Sequence, residues 1–518
     1  MQKIKKSKFL CLSIILFLLV GSFSFSSALA AEPRSGGTLS ITDFSFSSAR
    51  TLDPHLAQAA GSMRFIENMY NTLLKYKKAE YGSITGDLAK NYTITNDGKK
   101  YTFKLYQGVK FHDGSELTSA DVKFSIERII AKKVRAQQFS GVDKIETPDK
   151  YTVVITLKEP VAPFLTYLAY PMNAIVSQKI TESNNNDLSS IDAGSGPFKL
   201  NLWERDQYLI LDKFNDYFIQ GKPYLDRVYL KVIDDETART TALRNQELDL
   251  ILQVSAKNID RLAQYPDINV KSVAGTYWEY LGLNTRKGPL ADKKVRQAIA
   301  WGINRATLNK MVKFDKATVL TSGPIPPGHW AADDLAVYPA QDLAKAKKLL
   351  ADSDYSNGFE TTLIVLSNPD QLNAAQVIKA QLAPLGIKVK IKSLESSVYF
   401  DKLGSGDFDM TVIGWVGFVD PDEYLYNIFH TDGIWNQQGY SNPEVDQLLE
   451  DGRRTSDQAT RKEIYQKAQT IIAQDAPMVF LYVNPQASAL QDYVKGFDIN
   501  PTVTTISLVD TWLDQSAE

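Results

Sequence analysis

The single cysteine of this chain, Cys11, falls within the first thirty residues, and those thirty read as an export leader, not as part of a fold. Lys3, Lys5, Lys6 and Lys8 make a basic start without an acid, residues 9–20 are apolar apart from Ser13, and Ala28-Leu29-Ala30 is the small-x-small pattern that a signal peptidase cuts after. The apolar run is too short to span a bilayer comfortably, and nothing basic follows it to stop transfer. The expected mature chain starts at Ala31 and contains no cysteine. It can form no disulfide and no thiolate metal site, so packing must hold it together. Cys11 precedes the apolar run instead of following it, so the pattern is not that of a lipoprotein.

Cutting there leaves 488 of 518 residues, too many for one hydrophobic core, and two or three lobes are expected. Without the four leader lysines, 54 basic side chains face 60 acidic ones, a net charge of −6. That balance gives no electrostatic case for nucleic acid or for an anionic membrane surface. No later apolar stretch is long enough to cross a bilayer. The 25 Tyr, 23 Phe and 7 Trp exceed what core alone requires, leaving rings to line a ligand cleft.

Along the chain, strands are expected at 36–41, 101–105, 151–157, 208–211, 228–232 and 248–252, with helices at 63–74 and 237–245. Thr118 with Asp121 three residues on reads as a helix start. The polar stretch 181–187 reads as a surface loop. Beyond residue 285 helix and strand alternate: helices at 292–312, 342–352, 372–385, 396–403, 443–456 and 458–474, and strands at 361–366, 388–394, 409–415 and 478–483. That rhythm implies an α/β lobe with helices flanking a sheet.

Catalytic patterns are poor. The four histidines, His55, His112, His329 and His430, form no close pair and no H-E-x-x-H, so neither a metal site nor a catalytic residue is predicted. His112-Asp113-Gly114 reads as a turn, and His430 is the best histidine candidate for a cleft. Gly194-Ser195-Gly196-Pro197 lacks the G-x-S-x-G spacing of a nucleophile elbow and reads as a tight crossing. A phosphate loop is absent, so the chain does not itself hydrolyse ATP. More informative is the stretch 414–422, Gly-Trp-Val-Gly-Phe-Val-Asp-Pro-Asp, at a predicted strand end. Glycine there lets backbone approach a ligand closely, and Trp415 either stacks on that ligand or plugs a core.

Several motifs stand in a fixed order: Gly36-Gly37-Thr38-Leu39, Leu52-Asp53-Pro54-His55, Gly108-Val109-Lys110-Phe111-His112-Asp113-Gly114, Asp121-Val122-Lys123-Phe124-Ser125, Gly221-Lys222-Pro223-Tyr224, Leu281-Gly282-Leu283-Asn284, Val295-Arg296-Gln297-Ala298 and Tyr440-Ser441-Asn442-Pro443. In this the chain resembles family 5 of the bacterial solute-binding proteins, the oligopeptide-, dipeptide- and nickel-binding receptors of ABC transporters. The likeness runs from about Gly36 to Phe497. It implies an α/β fold of the type II periplasmic-binding-protein kind. Lobe I would take 31–78, 194–285 and 485–518, an inserted lobe 79–193, and the last lobe 286–484. Crossings near 280–285 and 483–487 would form a two-segment hinge, with the ligand enclosed between the first and last lobes.

The resemblance further implies a monomeric periplasmic receptor without cofactor or catalysis, delivering a peptide to membrane permease subunits. The implied cleft-wall positions are Trp415, Gly417, Phe418 and Asp420 on one loop, Tyr277 and Trp278 near the hinge, and Gln58 and Ala59 in lobe I. One departure matters. Peptide receptors of this kind place an aspartate just after this Trp-x-Gly, where it pairs with the ligand's ammonium group; here Phe418 stands there. The stretch 366–371 also carries none of the arginine that dipeptide receptors use for the ligand carboxylate. An oligosaccharide, an opine-like compound or a metal chelate therefore stays open beside a peptide. A secreted hydrolase on a similar scaffold is the reading of another class.

Overall fold

Two long strands, Ile268–Leu283 and Met478–Gln491, run antiparallel through the middle of the molecule and organise everything else. The computed structural model describes residues 32–77, 82–95, 97–333, 335–417, 419–502 and 504–514. The expected leader and Phe418 lie outside them. Residues 33–518 form a compact unit.

The two central strands belong to an 11-stranded mixed sheet. On one side of them lie Met410–Val416, Phe359–Leu366 and Ile387–Leu394; on the other lie Leu250–Ile251, Thr38–Thr42, Arg227–Lys231, Tyr208–Lys213 and Phe198–Glu204. Pairing of the central strands slips between Ala274 and Trp278. There a side chain on Gly275 would meet the Asn484 carbonyl at 2.9 Å, so the backbones cross closely where register is lost.

A separate four-stranded antiparallel sheet, in the order Ala89–Thr95, Lys100–Leu105, Thr152–Leu157, Val142–Asp149, is built from the stretch between residues 89 and 157. Helix Ser119–Lys132 packs on it, begun where the Asp121 carboxylate accepts the Thr118 N–H at 2.9 Å.

Apolar burial follows this division. Leu39, Ile41, Phe65, Leu211 and Val228 form one core, Leu281, Val295, Leu363, Ile378 and Val412 a second, and Phe103, Ile126, Ile129, Val153 and Ile155 a third. A fourth gathers Trp278, Tyr280, Phe429, Tyr465 and Phe480 around the second half of Ile268–Leu283 and the first half of Met478–Gln491. Each fully buried side chain of this size contributes about 1.5–3 kcal/mol of transfer free energy.

The alternating elements past residue 285 form as the periodicity predicts, with one difference there and two more earlier in the chain. The expected helix 292–312 is two, Lys293–Gly302 and Arg305–Lys313, because the Asn304 side chain accepts the Thr307 N–H at 2.9 Å and starts the helix anew. The helix expected at 63–74 is Ala60–Met69; Asp87 takes the Thr72 N–H and the Asn71 amide and turns the chain into strand Leu74–Tyr76. Half of the polar stretch 181–187 belongs to a short helix, Gln178–Ser183.

Candidate functional site

Strand Met410–Val416 pairs with Ile268–Leu283, which sets Tyr277 opposite Val416 and Trp278 opposite Trp415. Alternation along a strand sends neighbouring side chains to opposite faces. Trp278 goes inward and has no accessible surface, its ring 4.9 Å from that of Tyr280 and 5.6 Å from that of Phe480. It is core, and the sequence expectation of a cleft wall there is corrected. Tyr277 goes the other way and stays 40 % exposed. Its ring lies across Gly414, where an added methyl would sit 2.2 Å away, so this glycine is needed for close packing.

Trp415 is half-buried, its indole N–H donating to the Glu423 carbonyl at 3.0 Å and its ring 5.8 Å from that of Trp435. Trp435, Val416 and Ile434 are 48 %, 41 % and 66 % exposed. Register puts Tyr277 and Val416 together on one face of the strand pair, while Trp435, next to Ile434, joins Trp415 by ring contact on the other. Such clusters mark binding surfaces more often than isolated exposed residues do.

The loop after Trp415 is fixed from four directions. Asp420 caps helix Pro421–Phe429, accepting the Asp422 N–H at 3.0 Å, while Glu423 returns to accept the Val419 and Asp420 N–H groups. Arg461 grips Asp420 with two bonds of 2.7 and 2.9 Å, and both side chains are buried. Arg453 grips Asp422 likewise, at 2.7 and 2.9 Å. Burial pushes the Asp422 carboxyl above its usual value, against the pull of Arg453. His329 donates from Nε2 to the Val419 carbonyl at 2.7 Å while its Nδ1 accepts the Ala331 N–H at 3.0 Å; burial pushes its pKa down to about 4. Val419 itself inserts into the core of the four-stranded sheet.

Asp420 is therefore a cap and half of a buried ion pair, not a free ligand acid, and the expectation that placed it on the wall is corrected. Gly417 is packed under the Tyr424 ring, which an added methyl would meet at 2.2 Å, and it faces no opening.

A cavity of about 590 Å³ opens beside Trp415 and Val416, within the size range of small-molecule sites. One wall comes from strand Met410–Val416 and helices Pro421–Phe429 and Pro443–Arg454, through Trp415, Tyr426, Asn427 and Arg453. The facing wall comes from residues 134–167, through Arg135, Gln138, Phe164 and Tyr167, so the cavity lies between the stretches expected as the inserted and last lobes and not, as the resemblance implied, between the first and last. Arg453 lies 3.2 Å over the Tyr426 ring, which stacks at 4.6 Å on His430. Gln58 and Ala59 are not on this wall, but the carbonyls of Pro54 and Ala57 just before them accept from the Arg135 guanidinium. Of the eight predicted wall residues, Trp415 lines the cavity directly. A second cavity of similar volume is an open groove between Leu335, Glu444 and Lys467 and holds none of them.

Sequence reasoning missed Arg135, Tyr167, Tyr426 and Arg453. The first two lie far away in the chain and only the fold brings them round. The helix carrying Tyr426 was legible: Asp420-Pro421-x-Glu423 is an N-cap, a first-turn proline and a capping acid. The other histidines are committed structurally. His112 bonds Asp192 at 2.8 Å and the Gly196 carbonyl at 3.0 Å, and His55 bonds the Ala174 carbonyl at 2.9 Å beside the Asp53–Arg128 pair. Gly194 and Gly196 cross against the Met69 carbonyl group, as a tight crossing requires. Among the described residues, no group of three His, Cys, Asp or Glu is placed to hold a metal ion.

An α/β body with paired central strands and an aromatic-walled cavity between facing segments defines a solute-binding receptor. The model of the bacterial extracellular solute-binding proteins, family 5 (middle), matches residues 83–436, and the chain belongs to that family. It is 32 % identical over 479 residues to a probable D,D-dipeptide-binding periplasmic protein, DdpA, of Escherichia coli K12, covering 89 % of this chain and 92 % of that one. Among solved structures it is similar to the periplasmic binding protein DppA of Helicobacter pylori in complex with the peptide STSA, with a TM-score of 0.78, 32 % identity, and 93 % and 99 % of the two chains covered. It is also similar to AgaA of A. tumefaciens R10 in complex with agropinic acid, with a TM-score of 0.76, 32 % identity, and 92 % and 99 % covered. The fold is thus that of the type II periplasmic binding proteins. Family members are binding proteins that work with ABC permeases.

Proposed function

We propose that this chain is the exported receptor of an ABC importer for peptides or peptide-like solutes, that it binds without turnover, and that its ligand occupies the cavity beside Trp415. The observation that carries the reading is a cavity of about 590 Å³ walled by Trp415, Tyr426 and Tyr167, with the exposed Trp435 in ring contact with Trp415. Lobe I, the inserted lobe and the last lobe take the boundaries given above, with the hinge at the crossings near 280–285 and 483–487; the loss of register at residues 274–278 opposite 483–485 adjoins it. A broken ladder leaves dihedrals free to absorb closure, and ligand contacts to facing walls favour the closed state. Trp415 stays as a proposed wall position of this cavity, joined by Tyr426, Tyr167 and Arg135; Tyr277, Gln58 and Ala59 lie off its wall and are proposed only for the wider cleft between the first and last lobes.

The leader pattern and the periplasmic relatives support residence in a periplasm after cleavage at Ala30, without lipid; a monomer is part of the same proposal. Among the described residues no helix is long and apolar enough to cross a membrane. The ligands of these relatives, a D,D-dipeptide, the peptide STSA and agropinic acid, favour a peptide or a small acid related to one. Native mass spectrometry of freshly purified protein tests the reading. A retained small molecule that raises the melting temperature when added back supports it; conversion of that molecule by the protein contradicts it.

A further inference from the structure

Resting on the reading of the Trp415 cavity as the ligand site, we infer that Val419 is an apolar latch: it holds shut the seam between the inserted lobe, residues 79–193, and the last lobe, and that seam is the way into the cavity.

Val419 is divided between two bodies. Its main chain belongs to the last lobe: the N–H donates to the Glu423 carboxylate at 2.9 Å, and the carbonyl accepts from His329 Nε2 at 2.7 Å. Its side chain belongs to the other side, 3 % exposed within the core that Phe103, Val153, Ile155, Leu157 and Phe164 form. The neighbouring Asp420 is held by two bonds from Arg461, so the loop has no slack with which to leave the side chain behind. The two stretches can part only by drawing Val419 out of that core.

The latch and the cavity share their walls. Leu157 and Phe164 belong both to the core that receives Val419 and to the cavity lining. On the opposite wall stand Trp415, Asp422 and Glu423, each within four residues of Val419. Withdrawal of the side chain therefore opens the cavity along the same seam. Elsewhere the seam is joined by polar contact: the Ala162 N–H donates to the Arg453 carbonyl at 2.7 Å. A neutral bond of this kind exchanges for water with little net change, whereas uncovering a valine side chain is the larger cost.

The expected mature chain has no cysteine, which allows a direct test. A β-carbon added at Gly98 would lie 3.7 Å from that of Ser456, within the span of a disulfide, so Gly98→Cys with Ser456→Cys can staple the inserted lobe to the last lobe. Gly98 has a φ of 83°, so cysteine is strained there, and the reduced form of the same protein is the control. Small-angle scattering is recorded on the full mature protein, refolded from urea to remove bound solute. Val419→Ser is expected to shift the closed-to-open ratio about tenfold or more toward open, read as a larger radius of gyration, and Val419→Ala to shift it less. Oxidising the cysteine pair in the Val419→Ser protein is expected to restore the wild-type radius, and reduction to release it again. A lowered melting temperature with wild-type scattering in both valine variants would make Val419 ordinary core and overturn the inference. Expansion that the closed staple fails to prevent overturns it too, because a different seam is then opening. Either result leaves the receptor reading intact, since the retained solute tests that separately.

Discussion

Trp415 is where ligand binding and folding can be told apart by one substitution. Its ring is half-buried against Trp435, and its N–H bond to the Glu423 carbonyl can be replaced by water. Trp415→Ala should weaken binding of the retained ligand about tenfold, the value of one stacked ring, with a small change in melting temperature. Asp420→Ala should do the reverse. It removes a helix cap and strands Arg461 as a buried cation, so a loss of about 3–5 kcal/mol in urea denaturation is expected. His329 gives the loop a pH dependence of known sign. Its folded pKa of about 4 lies below the usual 6.5, so the unfolded chain takes up the proton first. Stability from this group is full above pH 6.5 and is lost as pH falls through 4, by about 3 kcal/mol at most. His329→Gln, which can still donate to Val419 but does not titrate, should flatten that acid limb in denaturation curves.

Among elements, much was legible because local rules and tertiary packing agreed. The helix Ser119–Lys132 begins where Thr118 and Asp121 predict, and Asn442-Pro443 opens the helix Pro443–Arg454 as a cap followed by a first-turn proline. Trp278 was misread because an aromatic run in a strand does not say which face is buried; pairing with Trp415 and packing on Tyr280 decide it. The acids of 420–422 looked available because their partners, Arg461 and Arg453, sit 31 to 41 residues later on other helices. One element contact carries a second titration. Glu67 on helix Ala60–Met69 accepts from the Thr505 N–H and hydroxyl, tying the C-terminal segment to that helix, and burial pushes its pKa up to about 7 from 4.5. A raised acid favours the folded state at low pH: the contribution is full below pH 4.5 and lost as pH rises through 7. Glu67→Gln should therefore lose less stability than the wild type between pH 5 and pH 8, measured by urea denaturation at each pH.

At the scale of the molecule, the length and the α/β rhythm were enough to expect several cores and a sheet flanked by helices past residue 285, and the order of motifs was enough to place the family. The cavity's inner wall was not readable, because residues 134–167 and 415–454 meet only through the fold, by way of Val419 in the core of the four-stranded sheet and the Ala162 N–H on the Arg453 carbonyl at 2.7 Å. The most direct test of the account is a crystal structure of the protein with its retained ligand bound. The ligand is predicted to lie against the Trp415 ring, with the segment around Arg135 closing the other side. Ligand density elsewhere on the molecule, with this cavity filled only by water, would contradict it.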